Sequence, residues 1–402
     1  MFYKINILSL FFDLYIYNWY DTLVRLFFMF KILRYTYCLL IFCICSFGVC
    51  DSYVLWFKSF DNTLSQQLQI ESQNDIFLPV VSIILSDKSN MDKFWSEYDD
   101  FSGVIKNKII HITLSPSYLS AKEVAEGKFD SWYMYLFEKI KKNNLKVIFR
   151  TMHEMNGGWY PWSSNPHEFK KARVHVYELS RKANLDKTNI LFDWSINHRD
   201  MVSTDIMPSQ WSNIMRCEQK NPKKWYCPIL EDYYPGNEYV DLVWFSYYNR
   251  GKASYDRKWL DTQDILSDDN FFDRISLLNK PIIIDEFATT SVYYKGQYNQ
   301  QKSIKSYQNQ YDFKNNWLKK SSIYIAKQKN IVAAIYFNID YTIWLTNWII
   351  GEADRAIINP TNNKIYTWRK DLYDNSQKSN NLTYMFVNQS SWAAMFMNSQ
   401  ST

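Results

Sequence analysis

Eight short, almost unbroken apolar runs, set apart by longer mixed stretches, constrain this chain more than any other feature of its sequence. They occupy residues 54–57, 80–85, 109–114, 146–151, 190–194, 240–246, 281–286 and 331–337. A strand with one wet face alternates apolar and polar residues. A run such as Ile282-Ile283-Ile284 leaves no face for water, so it reads as a parallel strand covered on both sides. Amphipathic helical patterns lie between the runs, at 129–144, 166–184, 271–279 and 304–329. Strand and helix alternating around eight turns predict an α/β chain folded as a single-domain (β/α)8 TIM barrel. A barrel takes ~250 residues, so a chain of 402 leaves room for extensions at both ends.

The expected division is 1–50 as an N-terminal extension and signal peptide, 51–372 as the barrel domain, and 373–402 as a tail rich in Asn, Ser and Gln. The signal reads best from Met29: Lys31 and Arg34 give a basic start, and an uncharged, mostly apolar run from Tyr35 to Cys50 follows. That run is shorter than the ~20 residues a membrane span needs. The expectation is therefore a secreted, extracellular protein with no stable membrane association, the alternative being an uncleaved N-terminal anchor. Cysteine usage fits export. Four of the six cysteines fall within residues 1–50, and Cys217 and Cys227 remain to pair in an oxidising compartment. Asn381-Leu382-Thr383 and Asn388-Gln389-Ser390 are glycosylation acceptors of an exported chain.

Net charge is +5, with lysines scattered among acids. No basic stripe points to nucleic acid, and two cysteines with five scattered histidines offer no metal-ligand cluster. Neither a metal nor an organic cofactor is expected, and the chain reads as a monomer. Aromatic residues reach 18%, more than a core alone requires, which suits platforms for sugar rings.

The chemistry concentrates where the fourth run ends, in Arg150-Thr151-Met152-His153-Glu154-Met155-Asn156-Gly157-Gly158-Trp159-Tyr160-Pro161-Trp162. A carboxylate, an imidazole, an arginine, an amide and two indoles leave one strand end together. Acid/base groups beside flat rings suit hydrolysis of a sugar chain: the carboxyl moves a proton at the glycosidic oxygen, and the rings stack on pyranose faces. Alternation places Arg150, Met152 and Glu154 on one side of the strand, so Arg150 can stabilise a carboxylate inside the barrel. A second acid, Glu286, closes the seventh run. A carboxylate after three isoleucines is costly to bury unless it is paired or catalytic. In a barrel, both acids lie on the C-terminal face, where active sites form.

These blocks resemble glycoside hydrolase family 26, a clan-A family of retaining endo-glycanases whose best-known members are β-mannanases. The likeness runs from about Phe129 to Asn347. It rests on Arg150 with His153-Glu154-Met155-Asn156-Gly157-Gly158-Trp159, on Phe192-Asp193-Trp194-Ser195-Ile196-Asn197, on Tyr234-Pro235-Gly236-Asn237-Glu238-Tyr239-Val240-Asp241, and on Lys280 to Glu286. The resemblance implies Glu154 as acid/base and Glu286 as nucleophile. It implies His153 as an orienting residue, Trp159 as a sugar platform, and Tyr247, in preference to Tyr248, beside the nucleophile. Asn156, Trp162 and Trp344 join Arg150 as candidate substrate-binding residues, with Trp162, Trp244 and Trp344 equally readable as packing.

Two positions depart from the family pattern. Many mannanases of the family carry a Trp-His pair after the third strand, where this chain reads His111-Ile112-Thr113-Leu114-Ser115-Pro116-Ser117. Ala288 stands where Gly often follows the nucleophile. The Trp-Tyr-Pro-Trp ending at Trp162 resembles members acting on other polymers as much as mannanases. The implied activity is secreted hydrolysis of a polysaccharide, β-1,4-mannan by family default. The alternatives are β-1,3-1,4-glucan or β-1,3-xylan with the same machinery, and a non-catalytic carbohydrate-binding surface protein.

Overall fold

The computed structural model describes residues 54–59, 63–74, 79–115, 119–200, 217–221, 224–249, 259–289, 307–328 and 330–338. The expected signal segment, the C-terminal tail with both glycosylation acceptors, and Trp344 lie outside the described residues. In chain order the elements are β1 (Val54–Ser59), α1 (Leu64–Asn74), β2 (Val80–Leu85), α2 (Lys88–Ile105), β3 (Ile109–Leu114), α3 (Ala121–Ala125), α4 (Asp130–Lys142), β4 (Val147–Thr151), α5 (Pro166–Lys182), β5 (Ile190–Asn197), β6 (Glu218–Asn221), β7 (Lys224–Tyr226), β8 (Leu242–Asn249), α6 (Thr262–Ser267), α7 (Phe271–Ser276), β9 (Ile282–Thr289), α8 (Tyr307–Ala326) and β10 (Ile331–Asn338).

Eight of these strands form one sheet in the order β1-β10-β9-β8-β5-β4-β3-β2, with every pairing parallel. This is the order of a (β/α)8 barrel opened between its first and second strands, and each predicted run supplies one strand. All eight begin within two residues of the predicted start, because an apolar run long enough for one strand between polar turns has little freedom to slide. At the opening, Ser82 of β2 finds its backbone partner in a side chain. Gln67 of α1 accepts from Ser82 N at 2.9 Å and donates to Ser82 O at 2.9 Å. One amide thus does the work of a strand's peptide group at that point of the edge.

The helices cover the outer face. α4 turns Tyr133, Leu136, Phe137 and Ile140 inward, the spacing of one helical stripe. Phe137 packs edge-on against Phe149 of β4 and Phe192 of β5. The turns back into β4, β5 and β9 each contain an asparagine in the left-handed region, Asn144, Asn184 and Asn279, with φ of 48°, 56° and 51°. Asn tolerates that conformation better than other side chains, which suits a chain with only 9 Gly. The predicted 271–279 helix ends earlier, at Ser276, to make room for such a turn.

Helices α1, α2, α3 and α6 and the β6–β7 hairpin were not foreseen. The hairpin is antiparallel and is bracketed by a disulfide between Cys217 and Cys227, whose Cα atoms lie 4.1 Å apart. It sits between β5 and β8 in the chain, so the sixth, seventh and eighth barrel strands are β8, β9 and β10.

Candidate active site

Alternation along β4 holds only to Thr151. Arg150 points into the barrel and is fully buried. Beyond the strand, Met152 and Glu154 both adopt left-handed backbone, with φ of 52° and 51°. Glu154 therefore reaches the site through a turn rather than by strand parity, a correction to the sequence reading. A non-glycine residue in this region costs about 1–3 kcal/mol, and the surroundings hold it there. Glu154 N donates to Ser195 O at 2.8 Å, and Gly157 N donates to Glu154 O at 3.0 Å. Trp162 Nε1 donates to His153 O at 2.7 Å.

The Glu154 carboxyl is buried among neutral donors. Oε1 accepts from Asn197 Nδ2 at 2.9 Å and from Ser246 Oγ, and Oε2 accepts from Trp159 Nε1 at 3.1 Å. Burial, and then the charge of nearby Glu286, push the Glu154 carboxyl above the usual carboxylate range; the Ser246 and Asn197 hydrogen bonds and Arg150 oppose the shift. This suits a group that must be protonated when it meets a leaving oxygen.

Glu286 has ionic surroundings. Arg150 Nη2 donates to its Oε1 at 2.8 Å, and Tyr248 OH donates to its Oε2. A guanidinium at this range favours the ionised carboxylate. Arg150 is fixed in turn by Nε to Thr113 Oγ1 at 2.9 Å and by an ion pair with Asp285. Glu286 does not end its strand, which continues to Thr289. The register explains how two successive acids meet one arginine. Phe245 pairs with Ile284 but Ser246 pairs with Glu286, and on the other side Ala334 pairs with Ile284 but Tyr336 with Phe287. β9 thus carries one extra residue against both neighbours, a bulge that breaks the alternation.

Parity on β8 corrects the tyrosine expected beside the nucleophile. Ser246 and Tyr248 share the side that faces the acids. Tyr247 points the other way, fully buried, with its hydroxyl on Thr262 at 2.9 Å and its ring near Phe287 and Trp317. The better signal was already in Trp244-Phe245-Ser246-Tyr247-Tyr248: Tyr247 shares a face with the apolar Val243 and Phe245, and Tyr248 with Ser246.

Asn156 changes role, and Trp162 and Trp244, each readable as platform or packing, are packing residues. Asn156 is fully buried and serves the protein itself. It accepts from Asn197 N at 2.9 Å and donates to Asn197 O at 2.9 Å and Asp200 Oδ1 at 2.9 Å, fixing the residue that binds Glu154. Trp162 is fully buried, stacked on Tyr160 with centroids 4.4 Å apart, and so offers no face to a sugar. Trp244 is also buried, its ring 4.4 Å from His111 deep in the barrel. His153 lies beside Glu154 in the chain and pairs with Tyr160 OH through Nε2 at 3.0 Å. Trp159 remains half-buried at the site, its indole laid directly over Gly157. Asn197, Ser246 and Asp285 are the site residues that the sequence did not single out, and Tyr248 was the less favoured of its two tyrosines. Among the described residues no group of His, Cys, Asp and Glu is arranged to hold a metal.

Over 185 residues the chain is 26% identical to Endoglucanase H of Acetivibrio thermocellus, covering 46% of this chain and 18% of that protein. Over 107 residues it is 26% identical to Mannan endo-1,4-beta-mannosidase A and B of Caldalkalibacillus mannanilyticus, covering 26% of this chain and 17% of that one. The aligned region thus spans less than a fifth of either relative. Among solved structures, a modular endo-beta-1,4-mannanase from Cellulomonas fimi matches with a TM-score of 0.49 at 12% identity, over 82% of this chain and 71% of that chain. The pattern of glycosyl hydrolase family 26 matches residues 133–338, from α4 through β10, a span that contains both acids and every donor that holds them. The chain belongs to glycosyl hydrolase family 26.

Proposed function

We propose that this protein is a retaining endo-β-glycosidase acting on a polysaccharide, with Glu286 as nucleophile, Glu154 as acid/base, and β-1,4-mannan as the substrate. The observation that carries the reading is the contrast between the two carboxyl groups: Glu286 on a buried guanidinium, Glu154 desolvated among neutral donors. A double displacement needs one ionised and one protonated carboxyl side by side.

In the first step a Glu286 oxygen attacks the anomeric carbon and forms an ester, the glycosidic C–O bond breaks, and the leaving oxygen takes the Glu154 proton. In the second, Glu154 removes a proton from water, the water oxygen bonds to the anomeric carbon, and the ester opens to restore Glu286. Tyr248 and Arg150 hold Glu286 in place through both steps, and Trp159 offers an indole face beside the acid. The basic start at Met29 and the apolar run that follows support export, and the Cys217–Cys227 disulfide suits an oxidising compartment.

The test incubates the purified chain with β-mannan, mixed-linkage β-glucan and β-1,3-xylan and counts new reducing ends, with Glu286→Ala as the control. Release from mannan alone, lost in the control, is the expected result. Release from one of the other polymers corrects the substrate. The likeness to Endoglucanase H makes the glucan arm the second to watch. Silence on all three, from folded protein that still binds a polymer, replaces catalysis with binding.

A further inference from the structure

One guanidinium serves two successive carboxylates in this barrel. Arg150 holds Glu286 through Nη2 and Asp285 through Nη1, and all three groups are at least nine-tenths buried. The extra residue in β9 is what brings Asp285 to the same side as Glu286. Asp285 has a second anchor: Ser195 Oγ of β5 donates to its Oδ2 at 3.2 Å. The attachment is therefore built from three strands.

The proposed reaction makes the consequence specific. Glu286 is anionic in the free enzyme and neutral once it is an ester, so a buried Arg150 with Glu286 as its sole partner would lose its counter-charge at each glycosylation. Isolated buried charge is costly. Asp285 takes no part in the ester and keeps its contact with Arg150 throughout. We propose that Asp285 is a positioning residue that acts through Arg150, as the standing counter-ion that keeps the guanidinium in place when Glu286 is esterified and limits how strongly it holds the Glu286 anion beforehand. The proposal rests on Glu286 being the nucleophile only for its kinetic consequence. The electrostatic part stands on the geometry.

The other charged and titratable groups around this pair are few. β4 brings Arg150 and the turn after it Glu154; β8 brings Tyr248; β3 brings His111, deeper in the barrel. β5 brings Asp193, which interacts with Arg150 and with Arg173 of α5. β10 carries no charged residue.

Removing the negative charge at Asp285 leaves Glu286 as the carboxylate in direct ion-pair contact with Arg150. The Glu286 anion is then held more tightly, so its titration midpoint falls, by about one pH unit for a like charge removed at this range. The experiment is a 13C-carboxyl NMR titration of the full chain labelled in Glu. The Glu286 resonance is assigned by its loss in Glu286→Gln, and its midpoint is compared in wild type, Asp285→Asn and Ser195→Ala. The expected result is a lower midpoint in Asp285→Asn. Ser195→Ala strips a donor from Asp285, leaves its charge less screened, and raises the midpoint by a smaller amount; it tests the proposal even where Asp285→Asn fails to fold. Equal midpoints in every folded variant overturn the proposal, whatever the activity.

On a substrate that wild type turns over and Glu286→Ala does not, Asp285→Asn lowers kcat/KM roughly tenfold or more and moves the acid limb of its pH profile to lower pH. A fall in activity without a limb shift marks a merely structural residue and counts against the proposal. Loss of the Glu286→Ala contrast itself overturns the assignment of the nucleophile and leaves the titration result standing.

Discussion

β4 and β9 each bring a carboxylate to the same end of the barrel, and they do so by opposite means. β4 stops at Thr151, and two left-handed residues carry Glu154 over the rim into a shell of neutral donors. β9 runs on to Thr289 and uses an extra residue within the strand to aim Glu286 at a buried arginine. The difference teaches that backbone irregularity sets the electrical environment here. A turn ends among side-chain amides, hydroxyls and an indole; a bulge inside the strand remains in contact with the barrel's charged interior. Two residues of one type, with one reference pKa, are thereby separated into a desolvated carboxyl and an ion-paired carboxylate.

The largest test of this comparison removes each carboxyl in turn. Glu286→Ala should abolish turnover on every substrate, by about 10^4-fold or more in kcat. Glu154→Ala should cost about 10^2–10^4-fold on polymer, yet still form the glycosyl-enzyme from an aryl glycoside whose leaving group needs no proton. Burst kinetics with a dinitrophenyl glycoside checks both. Equal losses on polymer and aryl glycoside in Glu154→Ala would break the division of labour between the two strands.

Arg150→Met addresses the β9 side alone. It removes the shared partner of Asp285 and Glu286 and strands both carboxylates in the interior. Breaking one buried pair costs about 3–5 kcal/mol, so the variant should unfold at markedly lower urea at pH 7. Acidification should narrow its deficit relative to wild type, because protonation relieves the two stranded charges. A deficit independent of pH would mean that Arg150 acts by packing.

On the β4 side, Gly157→Ala is a sharper probe than truncating Trp159. A Cβ at Gly157 would lie 2.0 Å from the Trp159 ring, so the indole must leave its place over the backbone and release Glu154 Oε2. The expected outcome is a tenfold or larger fall in kcat/KM on polymer with a nearly unchanged melting temperature, read by activity and circular dichroism together. Full activity in Gly157→Ala would show that Trp159 need not lie flat to serve the site.

How much of this was legible beforehand follows the same division. Strands such as 80–85 and 109–114 match to the residue, because continuous apolar runs have one way to be buried from both sides. Both carboxylates were also legible, Glu154 from the cluster of chemistry at its strand end and Glu286 because an acid after a run of isoleucines needs a reason. What could not be read is what the irregularities decide. Alternation was extended through Met152 to Glu154, where the backbone had already turned left-handed. Asp285 went unnoticed because regular parity points it away from Glu286. Asn156 and Trp162 were assigned to the sugar because their residue types allow it, and only the tertiary structure shows their polar atoms committed to Asn197 and to the His153 carbonyl. Helices α1 and α2 were missed because their polar faces outweigh the buried stripe in the sequence, where the apolar residues of α2, Met91, Phe94, Trp95 and Tyr98, are spread among charged ones.

The smallest expected effect concerns stability, and its sign separates the two acids. Burial and Glu286 raise the Glu154 carboxyl above its unfolded value. Between the unfolded pKa and the raised folded one, the native state holds the extra proton, so stability falls as pH rises through that window. Glu154→Gln cannot ionise and escapes this loss. It should melt within a degree or two of wild type near pH 4, where both side chains are neutral, and above wild type at pH 8. The buried Asp193, whose carboxyl is pushed up to about 7 by burial against the pull of Arg173 and Arg150, should behave alike in Asp193→Asn, with its gain complete just above neutrality. Glu286→Gln should show no such gain, because it gives up an ion pair with Arg150 in place of an uncompensated charge. If Glu154→Gln and Glu286→Gln shift melting in the same direction at pH 8, the two carboxyls share one environment, and the contrast between the turn at β4 and the bulge in β9 carries no electrostatic consequence.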